Sequence, residues 1–163
     1  MASTDRDKQY REDLYFLGVA KYAATRSKCS SRQVGAVLVY DGACYSTGVN
    51  GAPRGISLCQ DRTQPCRRRV MGFKSGEGIE HCPAIHSEAN AIIQAARNGV
   101  STRGCTLYCW CGRPCQKCMG AIINAGISRL VYLEVEKEYD ELSGEMLEES
   151  GIEYCRINPE EVC

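Results

Sequence analysis

The chain has 163 residues, and its 20 Lys and Arg are balanced by 20 Asp and Glu, so its formal net charge is zero. That length fits one domain, residues 1–163, with a real core. The charge balance argues against a broad electrostatic grip on nucleic acid or an anionic membrane. No apolar run approaches the roughly 20 residues of a membrane span. Met1 to Arg11 is polar and lacks the apolar centre of a secretory signal, which predicts a cytoplasmic protein.

Residues 10–26 carry apolar positions at helical spacing, with Leu14, Leu17, Val19 and Tyr22 expected to face a core. The polar run Arg26 to Arg32 ends that helix. Val34 to Tyr40 is a nearly continuous β-branched run, Asp41-Gly42 turns the chain, and Ala43 to Val49 returns. Asp-Gly between two such runs signals a hairpin. From Gly51 to Pro83 periodicity dissolves into a Gly-, Pro- and charge-rich insertion bearing Cys59, Cys66 and Cys82. A loop this long needs a function or a pin, and metal ligation would supply one. Beyond it come a helix from His86 to about Asn98, a strand at Thr106–Cys109 and a helix from Cys115 to about Ala125. Arg129–Glu134 predicts a strand, Tyr139–Ser150 a helix and Ile152–Arg156 a last strand. Gly99, Gly126 and Gly151 stand where helices end on a left-handed residue. Strands alternating with helices after a hairpin predict a three-layer α/β/α sandwich on a mixed, about five-stranded sheet.

Twelve cysteines are many for such a chain. Disulfide scaffolds are short, secreted and poor in helical patterns, so metal binding is the better explanation. Cys105 and Cys109 read as ordinary buried thiols in a strand.

Two segments carry the chemistry. His86-Ser87-Glu88 opens one helix and Pro114-Cys115-Gln116-Lys117-Cys118 opens another. Cysteines three apart share one face of a helical turn, so both sulfurs reach one metal, and His86 adds a third ligand. Three protein ligands leave a tetrahedral position open, the layout of catalytic zinc. Glu88, two residues past the histidine, is placed to move protons rather than to bind metal. H-x-E followed by P-C-x-x-C is the signature of zinc-dependent nucleobase deaminases.

On Val34-Gly35-Ala36-Val37, Gly48-Val49-Asn50-Gly51-Ala52-Pro53, His86-Ser87-Glu88-Ala89-Asn90-Ala91-Ile92 and Pro114-Cys115-Gln116-Lys117-Cys118, the chain resembles deoxycytidylate (dCMP) deaminases. The resemblance runs from about Leu14 to Tyr154. The zinc motifs fit the whole deaminase superfamily; the G-x-N-G segment and the cysteine-bearing insertion narrow the match. It implies a catalytic zinc on His86, Cys115 and Cys118, with Glu88 as proton shuttle, and hydrolysis of dCMP to dUMP and ammonia for thymidylate synthesis. Ser87 replaces the family's usual alanine. Trp110-Cys111-Gly112-Arg113 also departs from the family, so Cys111 either competes for zinc or lines the pocket. A closed structural zinc completed by Cys109 or Cys111 is the competing reading of the cluster.

The same resemblance assigns the substrate phosphate to Arg26, Ser27 and Lys28, the nucleotide sugar or ring to Asn50, and a cover over the pyrimidine to Tyr139. It suggests a second, structural zinc on Cys29, Cys59, Cys66 and Cys82, with His81 able to replace one of them. It further implies a homohexamer activated by dCTP and inhibited by dTTP, with magnesium accompanying the effector. Gly48, Asn50, Gly51 and Arg97 would frame that effector site, although Gln94 stands where a phage relative has phenylalanine. No nucleic-acid or membrane partner is expected. The alternatives are a deaminase acting on dCTP or on a base in RNA, and a zinc-stabilised nucleotide-binding module without turnover. Glu88 separates enzyme from binder, because a binder has no use for an ionisable group beside an open metal position.

Overall fold

The computed structural model describes residues 4–57, 59, 66–74, 77–138 and 140–163. Five strands, β1 (Gly35–Tyr40), β2 (Ala43–Val49), β3 (Thr106–Cys109), β4 (Arg129–Leu133) and β5 (Glu153–Ile157), form one sheet in the order β2-β1-β3-β4-β5. β1 runs antiparallel to β2 and β3, whereas β3, β4 and β5 are parallel. The inner strands are apolar on both sides. Ala36, Leu38, Leu107, Leu130 and Tyr132 face one way, and Val37, Val39, Tyr108, Val131 and Leu133 the other. Both faces must therefore be covered.

Helix α1 (Asp5–Ala24) covers one face through Phe16, Leu17 and Ala20. Helices α3 (Ser87–Arg97), α4 (Gln116–Asn124) and α5 (Glu141–Ser150) cover the other through Ala91, Ala95, Met119, Ile122 and Leu147. This is the expected α/β/α sandwich with a mixed sheet. At the hairpin, Asp41 and Gly42 have φ of 48° and 69°, the paired left-handed geometry a two-residue turn requires.

Local details depart from the sequence expectation. Helix α1 begins five residues before residue 10, because Thr4 and Asp7 close a capping box: Asp7 N donates to Thr4 Oγ1 at 3.1 Å and Thr4 N to Asp7 Oδ2 at 3.0 Å. Tyr22, expected in the core, is 79% exposed; the buried face runs through Asp13, Phe16, Leu17, Ala20, Ala23 and Ala24. On α3 the buried stripe is Ser87, Glu88, Ala91 and Ala95, while Ile93 is 48% exposed. Small residues are selected there because α3 lies directly on β2. A Cβ on Gly48 would stand 2.0 Å from Ser87 O and 2.3 Å from Ala91 N.

Short turns that leave no periodicity in sequence occur among the insertion's described residues, including α2 (Arg67–Val70) and a 3-10 turn at Ile79–His81. Side chains and backbone pin its described part. Phe73 stacks on His81 with ring centroids 5.4 Å apart. Arg68 donates from Nε to Glu77 O at 2.6 Å and from Nη2 to Lys74 O at 3.0 Å. The Gly51–Ile85 bridge closes its base.

Candidate active site

Both ligand-bearing helices start on a ligand. His86 is the N-cap of α3 and Cys115 the N-cap of α4, and neither makes a side-chain capping bond. Their side chains turn instead toward each other. His86 Nδ1 lies 3.5 Å from Cys115 Sγ and 3.4 Å from Cys118 Sγ. Zn–N near 2.0 Å and Zn–S near 2.3 Å in a tetrahedron place N and S about 3.6 Å apart, so this donor set fits zinc. Among the described residues these three are the one group of His, Cys, Asp and Glu whose donor atoms all lie within 4.8 Å of one another. Neither Cys109 nor Cys111 joins it. Among the described residues the triad therefore has the three-ligand layout, with no fourth ligand at that distance.

The free helix start of α4 is served from elsewhere. Asp140 caps α5 by accepting from Ser143 N at 3.1 Å, and its other oxygen accepts from Gln116 N at 2.7 Å. One carboxylate therefore completes two helix N-termini and fixes the turn that presents Cys115. Ser143 Oγ donates to Pro114 O in the same place. Sequence reading missed this cross-helix role, although an aspartate ahead of a helical pattern is itself a cap signal.

Glu88 is 4% exposed, yet it lines a cavity of about 530 Å³ together with His86 and Cys115. Ser87 Oγ donates to its Oε2 at 2.9 Å, and the Cys111 thiol lies 3.9 Å from its Oε1. Both carboxylate oxygens are thereby oriented by buried neighbours. Cys111 lines the pocket. Within the triad, the Cys118 thiol donates to Cys115 and, with His86 beside it, holds Cys115 well below the usual thiol range, to about 4. The same bond, with burial, drives Cys118 up. Cys115 raises the His86 imidazole, with Glu88 adding to the effect against burial.

The remaining expected residues divide. Asn50 and Cys29 line the cavity, as does Cys82. Asn50 is also a structural clasp: its Oδ1 accepts from Ser27 Oγ at 2.7 Å and Val34 N at 2.9 Å, and its Nδ2 donates to Arg32 O at 2.8 Å. Ser27 is 3% exposed, and its hydroxyl donates to Asn50. Arg26 and Lys28 are exposed but are not part of the cavity wall. Cys29, Cys59, Cys66 and Cys82 do not gather at ligand distance, so the second cluster is not assembled among the described residues. Gly48 is buried against α3 and sets the close approach of that helix to the sheet. Gly51 is engaged with Ile85, and Arg97 is exposed in the last turn of α3. Tyr139 lies outside the described residues. The cavity brings in cations that the motifs did not indicate, among them Arg32, Arg69 and Lys74.

The family profile of the cytidine and deoxycytidylate deaminase zinc-binding region matches residues 10–134. A deoxycytidylate deaminase of Mycobacterium phage D29 is 42% identical over 125 residues, spanning 74% of this chain and 92% of that protein. A deoxycytidylate deaminase of Schizosaccharomyces pombe is 34% identical over 150 residues, spanning 91% of this chain and 45% of the relative. The chain thus covers less than half the length of that yeast protein. In fold, a cyanophage S-TIM5 dCMP deaminase crystallised with dCMP and dUMP superposes with a TM-score of 0.70 at 23% identity, covering 96% of this chain and all of that one. The chain belongs to the zinc-binding cytidine and deoxycytidylate deaminase family.

Proposed function

We propose that this chain is a hydrolase that converts dCMP and water to dUMP and ammonia. The observation that carries the reading is Glu88: a buried carboxylate, held from both sides, opening onto the same cavity as an incomplete His-Cys-Cys tetrahedron. A zinc ion held by His86, Cys115 and Cys118 would supply Lewis acidity that makes water a better nucleophile near neutral pH. Glu88 takes one proton of the attacking water and delivers it to ring nitrogen 3 as oxygen adds to carbon 4. It then carries the remaining hydroxyl proton to the departing amine, so one water is consumed and one ammonia leaves. Ser87 and Cys111 keep the carboxylate aimed through both transfers.

The choice of dCMP rests on the relatives named above. Control by dCTP and dTTP, magnesium accompanying either triphosphate, and a hexameric assembly belong to the same reading. Family membership supports them. An ultraviolet assay with dCMP, dCTP, cytidine and deoxycytidine side by side tests the substrate, repeated with dCTP or dTTP added. Turnover of dCMP is expected to exceed that of the other three. Equal or better turnover of dCTP would replace the monophosphate reading. Sedimentation of the zinc-loaded protein tests the assembly.

A further inference from the structure

We propose that the substrate's phosphate is received by a cationic wall made of Arg32 and the Arg68, Arg69 and Lys74 side of the insertion, not by the 26–28 turn. The inference rests on the dCMP reading and specifies which residues make it selective for a nucleotide. All four cations line the cavity that contains Glu88 and His86, whereas neither Arg26 nor Lys28 does.

Among the described residues the ion pairs are Lys8 with Asp5, His81 with Glu80, and Arg129 with Asp13 and Glu153, so none of the four cations is in one; the Glu77 carboxylate at the edge of the wall accepts from Lys74 N at 3.0 Å. Two are nevertheless held in place. Arg68 is fixed by the carbonyls of Glu77 and Lys74, which leaves its Nη1 uncommitted. Arg69 is fixed by Nε donating to Ser31 Oγ at 3.2 Å, which leaves both terminal nitrogens. Neutral acceptors thus orient these guanidiniums without cancelling their charge, the condition for a charge-assisted grip on an oxyanion. In a chain with no net charge, four cations around one cavity, none in an ion pair among the described residues, are a local field and not a background property.

The carboxylates of the cavity lie on its other side: Glu88 beside the metal ligands, and Glu138 and Asp140 next to α5, where Arg113, a fifth cation of the lining, donates from Nη2 to Asp140 O at 2.9 Å. A phosphate, carrying between about 1.5 and 2 negative charges near pH 7, is therefore repelled from the acidic side and drawn to the insertion. With the base at Glu88, the nucleotide can enter in one orientation. On this reading the insertion earns its length by selecting the phosphorylated substrate.

The test uses the full zinc-loaded chain with two double variants, Arg32→Gln with Lys74→Gln, and Arg26→Gln with Lys28→Gln. The quantity is the ratio of kcat/KM for dCMP to that for deoxycytidine, which general damage to the fold leaves unchanged. Loss of charge-assisted contacts should lower the ratio about tenfold or more in the first variant and leave it unaltered in the second. The affinity for dUMP relative to deoxyuridine should move in parallel. An unchanged ratio in the Arg32 and Lys74 variant, or a loss carried by the Arg26 and Lys28 variant, overturns the wall. A parent that does not deaminate dCMP sinks the functional reading instead, and dUMP binding by the same variants still decides the wall.

Discussion

Cys115 and Cys118 are three residues apart, yet before metal binds they are chemically unequal. The Cys118 thiol and the neighbouring His86 hold Cys115 below the usual thiol range, while the same bond, with burial, pushes Cys118 up. Metal-stripped protein at pH 6 should therefore alkylate first at Cys115, ahead of the exposed thiols Cys44 and Cys163. Saturating zinc should protect it. Peptide mass spectrometry after brief iodoacetamide treatment reads this out, and first labelling at Cys44 would contradict it. Glu88 gives a second prediction at this scale. Glu88→Gln preserves volume and keeps one oxygen to accept from Ser87 or Cys111, so zinc content should persist while turnover falls by about two to four orders of magnitude. A folded, zinc-loaded variant with most of its activity would rule out the proton role.

Helix α3 is seated by a contact between backbones. Gly48 lets β2 approach Ser87 and Ala91 so closely that any side chain must push the helix away. His86 and Glu88 stand at that same end of α3, so displacement there moves a zinc ligand and the base together. Gly48→Ala is expected to destabilise the fold by roughly 1–3 kcal/mol and to weaken zinc binding as well. Urea denaturation and metal competition measure the two effects; normal stability with normal affinity would show that the interface relaxes without cost. Helix boundaries were legible here because Gly99 and Gly126 follow the last helical residues with φ of 67° and 71°. The contact surface was not, because a strand glycine looks alike in sequence whether it frames a ligand or admits a helix.

Across the whole molecule, one buried ion pair joins the layers. Asp13, on α1 and 1% exposed, accepts from Arg129 Nη1 and Nη2 at 2.7 and 2.8 Å and from Tyr108 Oη at 3.0 Å. Removing one partner of such a pair leaves the other desolvated, a loss of about 3–5 kcal/mol. Asp13→Ala should show that loss in chemical denaturation. Because α1 packs on the sheet face away from α3 and α4, the protein that remains folded should bind zinc normally. Metal content is the other property at this scale. Protein purified without added zinc should hold one equivalent per chain, because only His86, Cys115 and Cys118 converge among the described residues. Two equivalents, falling to one in Cys59→Ser, would restore the second site.

The sequence by itself determined the layer architecture and the metal triad. Alternating β-branched runs commit strands to two buried faces, and cysteines at i and i+3 of a helix start are brought together by local geometry alone. The nearly continuous run Val34 to Tyr40 therefore predicted a fully buried strand, and Cys115 and Cys118 predicted a common target. Tertiary structure decided everything that depends on residues remote in the chain. Polar residues near the first helix end looked alike as phosphate ligands, but packing turned Ser27 inward onto Asn50 and left Arg26 and Lys28 off the cavity, while the insertion brought Arg68, Arg69 and Lys74 to a wall it shares with Arg32. Spacing says nothing of which loop folds over which opening. The scattered cysteines illustrate the same limit: with no local period joining Cys29, Cys59, Cys66 and Cys82, only the path of the backbone could bring them together, and among the described residues no three of them meet at ligand distance.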